Sequence, residues 1–176
     1  VLLGKGANVE GRDVSGITPL LVGAHHDSFA AAGIVVGKGA DVSLATRDGR
    51  TPLHTACSRT GSLVIARLLE AAGADVNAQD EHGDTPLIYA LGADKREIAE
   101  WLLTKETSVT ASNLDGWTPV HMAAHFGQEA ILAKLLDMGA SPSALDKIEF
   151  SPLHVTVHLG CMERLVAAGS EIDLFA

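Results

Sequence analysis

The chain has 176 residues, is 47% hydrophobic and 20% charged, and carries a net charge of −9. That balance suits a folded chain, while its acidity, with no Lys/Arg cluster, argues against nucleic acid or an anionic membrane as partner. No run of about 18 or more apolar residues is present to span a bilayer, and Cys57 and Cys161 are too few and too far apart for a disulfide framework, which fits reduced thiols in the cytoplasm or nucleus.

Residues 1–12 read as the tail of a structural unit. Leu2-Leu3 followed by Gly6-Ala7 matches a helix end and the start of a hairpin finger. The chain opens on Val1 in mid-unit, without a signal-peptide pattern, and is expected to be a fragment of a longer protein. A full unit follows around Thr18-Pro19-Leu20. Its second helix contains Gly33, which costs about 1 kcal/mol relative to Ala. This unit is expected to be the least stable.

The clearest unit holds Asp48-Gly49-Arg50-Thr51-Pro52-Leu53-His54-Thr55-Ala56. Asp-Gly supplies a turn. Thr51 is a helix N-cap and Pro52 suits the first helical position, where its missing N–H costs nothing. Val64-Ile65 and Leu68-Leu69 have the i, i+4 spacing of a buried stripe. This unit is one residue longer than its neighbours. The hydrophobic register places the extra residue in Glu70-Ala71-Ala72; the alternative is the turn near Thr60-Gly61.

The next unit, around Thr85, has Ile98-Ala99 and Leu102-Leu103 as its stripe, but Glu106 stands where its neighbours have Gly. A left-handed helix end favours Gly, so this helix is expected to be strained or to end differently. The unit around Thr118 is regular. The last, around Ser151, is about three residues short, and the loss is placed just after Gly160. The chain ends at Leu174-Phe175-Ala176, within a finger.

Thr18, Thr51, Thr85, Thr118 and Ser151 are thus spaced by 33, 34, 33 and 33 residues. Such a period marks a solenoid. Thr51-Pro52-Leu53-His54-Thr55-Ala56 resembles the signature of the ankyrin repeat family; Val120-His121-Met122-Ala123 and Leu153-His154 match it closely, whereas Leu21 and Ile88 replace the histidine. Gly39-Ala40-Asp41-Val42 and Gly73-Ala74-Asp75-Val76 agree. The resemblance implies an all-α solenoid of helix-turn-helix units joined by β-hairpin-like fingers. Its units are a partial repeat at 1–12, repeats at 13–45, 46–79, 80–112 and 113–145, and a shortened repeat at 146–176.

Catalysis finds little support. Both cysteines lie in apolar helical contexts, and no Gly-x-Ser-x-Gly, phosphate loop or distinct carboxylate pair occurs. His121 and His125 are i, i+4 on one helix, as are His154 and His158, with His25 and His26 at the matching place earlier. That spacing can bind metal. In the family, however, the motif histidine bonds backbone and the threonine hydroxyl, so no metal, no cofactor and no enzyme activity is expected.

The resemblance implies instead a monomeric protein–protein interaction scaffold with no small-molecule substrate, or else a spacer or targeting segment of a larger enzyme, channel or toxin. Such arrays bind on a concave surface of finger tips and first helices. Carried onto this chain, Trp117 and Phe150 take tip positions and Phe126 the helix row between them. Leu114, Ile148 and Leu159 flank them, His125 and Met122 line the floor, and Asp84 and Asp115 form an acidic rim. Exposed aromatics of this kind mark contacts; the alternative is that Trp117 and Phe150 fold back on neighbouring fingers and stiffen the stack. Asp48 and Glu81 extend the acidic tips, as a solvated face or a strip that steers a basic partner. Leu69 with Asp75-Val76-Asn77 resembles the site at which an asparaginyl hydroxylase modifies ankyrin repeats, which makes Asn77 the candidate; the alternative is a hydrogen-bonding role across the finger.

Overall fold

A computed structural model describes residues 8–170. Among them are ten helices and no strand: α1 (Pro19–His25), α2 (Phe29–Gly37), α3 (Pro52–Cys57), α4 (Leu63–Ala71), α5 (Pro86–Gly92), α6 (Arg96–Leu102), α7 (Pro119–His125), α8 (Glu129–Asp137), α9 (Pro152–Val155) and α10 (Leu159–Ala167). Successive pairs fall within the five ranges from 13 onward, while most of the partial repeat at 1–12 lies outside the described residues, as does the end at Leu174-Phe175-Ala176. None of these helices is long and apolar enough to cross a membrane.

Each first helix starts for a local reason. Thr18, Thr51, Thr85 and Thr118 hold extended backbone, and each Oγ1 accepts the N–H three residues on. Proline follows at the first helical position, where no N–H is wanted. The helices are too short to persist alone; burial holds them. Leu53, Leu87 and Val120 form one fully buried row, and Leu69, Leu102, Leu135 and Leu165 another. First helices pack on first helices and second on second, unit to unit. Outer-row ion pairs Lys105–Glu70, Lys134–Glu100 and Arg164–Glu129, at 2.9–3.0 Å, are partly exposed and contribute little each.

The fingers are built by a residue the sequence analysis did not single out. Asp13, Asp80, Asn113 and Asp146 open them, and each Oδ1 accepts the N–H groups two and four residues later at 2.8–3.0 Å. Backbone bonds then tie finger to finger: Arg47 N–H to Ser15 O, Glu81 to Asp48, Leu114 to His82, and Lys147 to Asp115, at 2.7–3.1 Å. At Gly116, φ is +85°, and a Cβ there would lie 2.7 Å from Asp146 Cα. That turn therefore requires glycine twice over, for its φ and for the close approach.

Two boundary expectations are corrected. The extra residue of the 46–79 unit lies between the helices, not in Glu70-Ala71-Ala72. From Thr51 to the start of α4 is 12 residues, against 11 from Thr118 to α8, whereas both second helices end with glycine at positive φ in the same place. Val64 misled the register: it is 57% exposed, and the buried row is Ile65, Ala66 and Leu69. The loss in the last unit also falls earlier than expected. Gly160 lies inside α10, and α9 is a single four-residue turn. Consequently His154 and His158 do not share a helix; His158 is the extended N-cap of α10. Leu159 begins that second helix rather than extending the first-helix row.

α6 resolves the question raised by Glu106 by ending early. It stops at Leu102, whose carbonyl accepts the Thr107 hydroxyl at 2.8 Å. Asn77 bridges the adjacent finger, with Nδ2 donating to Glu106 O at 2.8 Å and Oδ1 accepting from Ser108 N–H at 2.7 Å.

Leu135→Ala and Leu102→Ala are each expected to cost about 2–5 kcal/mol in urea denaturation, because both side chains are fully buried. Gly33→Ala is expected to raise stability by about 1 kcal/mol, since α2 runs unbroken through it and an added methyl meets nothing within 4 Å.

Candidate interaction surface

The face built from finger tips and first helices is organised by the motif histidines. Thr51 N–H donates to His54 Nδ1 at 3.2 Å, the Thr51 hydroxyl lies 2.9 Å from the same nitrogen, and Nε2 meets Asp84 O, in the next finger, at 3.0 Å. His121 repeats this with Thr118 and with Phe150 O at 3.0 Å. A nitrogen that accepts on one side and faces a carbonyl on the other fixes the neutral Nε2–H tautomer. Both ring nitrogens of His121 are therefore occupied, which removes it as a ligand beside His125. No group of three or more His, Cys, Asp or Glu among the described residues is placed to hold a metal. Cys57 and Cys161 are buried free thiols, pushed up in pKa by that burial, and so are poor nucleophiles.

The predicted contact residues divide into two groups. Trp117, His125 and Phe126 come together: the indole lies edge-on to His125 at 5.3 Å, and His125 edge-on to Phe126 at 4.9 Å. Trp117 also stacks on His121 at 6.0 Å, and its Nε1–H donates to Asp146 Oδ2 at 3.2 Å. It is half-buried and fastened to the next finger. Phe150, on that finger, stacks on His154 at 5.5 Å and is 44% exposed. Phe126 is 41%, Leu114 56% and Ile148 68% exposed.

Met122 and Asp84 belong elsewhere. They line a groove of ≈ 320 Å³ one unit earlier, with Arg59, Ile88, Tyr89 and Gly92. Asp84 is no free rim charge, since its Oδ1 accepts from Asn113 Nδ2 at 2.8 Å and burial raises its pKa. Asp115 is exposed.

Comparison with known proteins gives the family. The family model "Ankyrin repeats (3 copies)" matches residues 1–80, 27–113 and 62–146. The chain belongs to the ankyrin repeat family. Human neurogenic locus notch homolog protein 4 is 45% identical over 69 residues, 39% of this chain and 3% of that protein. Mouse B-cell lymphoma 3 protein homolog is 34% identical over 91 residues, 51% of this chain and 20% of that protein. The Arabidopsis thaliana E3 ubiquitin-protein ligase KEG is 33% identical over 69 residues, 39% of this chain and 4% of that protein. The chain thus spans a fifth or less of each of these relatives.

Ankyrin repeats are in general protein–protein interaction modules, and the family in general lacks catalysis. In this ankyrin array one buried polar residue escaped the sequence analysis. Gln128, the N-cap of α8, donates from Nε2 to Leu91 O at 2.9 Å and to Asp94 Oδ1 at 3.1 Å. Lys95 holds the corresponding place one unit earlier and donates to Gly61 O at 3.0 Å. These residues knit successive inter-helix turns much as the fingers are knitted.

The motif histidines give the array a pH dependence. Burial lowers the pKa of His54 and of His121, so the unfolded chain binds protons at higher pH than the folded one. Their stabilisation is complete above the unfolded value of about 6.5 and is lost as pH falls through the lowered folded values. Asp84, raised by burial, acts in the opposite sense, its contribution being lost as pH rises through its folded value. The urea midpoint is expected to fall from pH 7.5 to pH 5 in the native chain. A His54→Gln/His121→Gln variant should show a lower midpoint at pH 7.5 and a flatter profile.

Proposed function

We propose that the chain is a non-catalytic recognition module that binds a partner peptide or domain on the finger and first-helix surface of its last two units. The observation that carries this reading is the row Leu114, Phe126, Ile148 and Phe150, all exposed, in a chain that is only 4% aromatic. Large apolar side chains gathered on one exposed surface usually mark a contact. Trp117 packs edge-on to His125 and His125 to Phe126, and Asp115 supplies an exposed carboxylate next to Leu114 in the sequence. The partner on this reading presents an apolar anchor beside a basic residue, met at 1:1 by a monomeric array. The two buried thiols fit a reducing compartment, cytoplasm or nucleus.

Phe150→Ala and Ile148→Ala are expected to abolish capture of proteins retained by the native chain in a pull-down, with thermal midpoints unchanged. Trp117→Ala should cost about 1–2 kcal/mol of stability, because it removes the Asp146 bond as well as the ring. Capture unaffected by Phe150→Ala and Ile148→Ala overturns this site. The short share of each relative that the chain matches favours a second reading, a spacer or targeting segment of a larger protein, which the absence of any specific capture by the native chain supports.

Asn77 is a separate proposal, as a hydroxylation position. With the insertion placed before Leu63, nothing interrupts the spacing from Leu69 to Asn77. Incubation with the asparaginyl hydroxylase and its cosubstrates is expected to add one oxygen to the Asn77 peptide in mass spectrometry; no gain leaves Asn77 its bridging role alone.

A further inference from the structure

A groove of ≈ 550 Å³ lies at the opposite end of the same face, between the first two fingers and α1. One position of the repeat motif is replaced there. Leu21 stands where His54 and His121 stand in their units, three residues after the capping threonine. In those units the imidazole spans from its own helix to the carbonyl that ends the next finger. At Leu21 an aliphatic side chain takes its place and cannot make that bond. Leu21 and Val22 line the groove together with Ile17. Val22 and Ile17 are both exposed, so the lining offers apolar contact area to a ligand.

The groove is also the cationic part of an acidic chain. Arg47 and Arg50 line it, with His25 and Asp48. Arg50 is paired with Asp48, which leaves that pair neutral. Arg47 is exposed, and its guanidinium forms no ion pair or hydrogen bond among the described residues. The lining thus carries a net positive charge in a molecule of net charge −9. Its volume suits a few side chains rather than a folded domain, and its apolar contacts are aliphatic, unlike the aromatic row at the far end.

We propose that this groove is a second docking site, which takes an extended partner segment bearing an aliphatic side chain beside one or two carboxylates. The aliphatic group rests on the exposed Val22 and Ile17, and a carboxylate meets Arg47. The proposal builds on the recognition reading of this face and adds a polarity to it. The partner is acidic where it crosses the first two units and basic where it reaches Asp115.

The test uses a fluorescein-labelled peptide of alternating Leu and Asp, with its Leu/Lys and Leu/Ser counterparts, titrated with the full chain in fluorescence anisotropy at low salt. The Leu/Asp peptide is expected to bind saturably and more tightly than either counterpart. Arg47→Glu and Val22→Glu should each weaken it about tenfold or more, a loss concentrated in a buried contact and its charged rim, while Phe150→Ala leaves it unchanged. Both Arg47 and Val22 are exposed, and thermal melts confirm that the variants fold. Equal binding of the Leu/Ser or Leu/Lys peptide, or unchanged affinity in Arg47→Glu, overturns the proposal. Because Phe150→Ala and Ile148→Ala report on the far site separately, failure here leaves that site standing, and failure there leaves this one.

Discussion

The rest of the structure depends on how each unit is fastened to the next, and the strongest local fastening is a buried neutral imidazole. His54 lies fully buried, with one nitrogen facing Thr51 and the other facing Asp84 O, 30 residues along the chain. His121 does the same with Phe150 O, 29 residues along. Burying a polar ring without partners is costly; here both nitrogens are satisfied, so the burial instead fixes the distance between a helix start and the following finger. In these two units the imidazole reinforces a spacing that the finger bonds through Asp13, Asp80, Asn113 and Asp146 and the backbone ladder from tip to tip also hold.

A solenoid held in this way has one elongated core that runs from unit to unit, from Leu20 to Leu165. Each unit buries one face on the unit before it and one on the unit after, which is why the buried rows run across units rather than within them. The turns on the far side are joined by other means. Gln128 and Lys95 reach back to Leu91 O and Gly61 O, using long side chains where the fingers use short ones. A first helix is therefore anchored at its start by threonine or serine and, in three units, histidine, and at its end by the turn that leads into its partner.

The period was legible because threonine, or serine at 151, and proline carry out the same local task five times, and no other requirement competes for those positions. The places where units differ in length were harder to read. Val64-Ile65 and Leu68-Leu69 look like two buried pairs, yet only Ile65 and Leu69 are buried; a run of adjacent apolar residues does not say which of them faces inward. Gly160 looked like a turn glycine and is helical, because the short last unit gives up part of its first helix and keeps its second whole. The finger-opening Asp and Asn residues stand at constant phase before the Thr-Pro or Ser-Pro of four units, with Thr46 at that place in the other, but glycine drew attention away from them. Gln128 gave no sequence signal, since its role depends on a turn 34 residues earlier. The exposure of Leu114, Phe126, Ile148 and Phe150 follows from their tip and helix-row positions, whereas the grouping of Met122 with Asp84 in another groove depends on how two units sit side by side.

The two grooves share a feature of the repeat motif. One is lined by Leu21 and the other by Ile88, and these are the two positions in complete units where an aliphatic residue replaces the motif histidine. Where the imidazole is present, its bonds hold helix and finger together. Where it is absent, the same backbone geometry persists, because the capping threonine and the finger ladder still fix it, and Leu21 and Ile88 take the imidazole's place as buried aliphatic side chains. A repeat protein can therefore omit this fastening in one unit, provided the neighbouring units keep theirs. In this chain His54 lies between the two altered units and His121 lies after them, so each hollow is bordered by a unit that retains its full set of bonds. The surface chemistry can then vary from one end of the face to the other, from Arg47 beside Leu21 to Asp115 beside Phe126, on a frame that changes little.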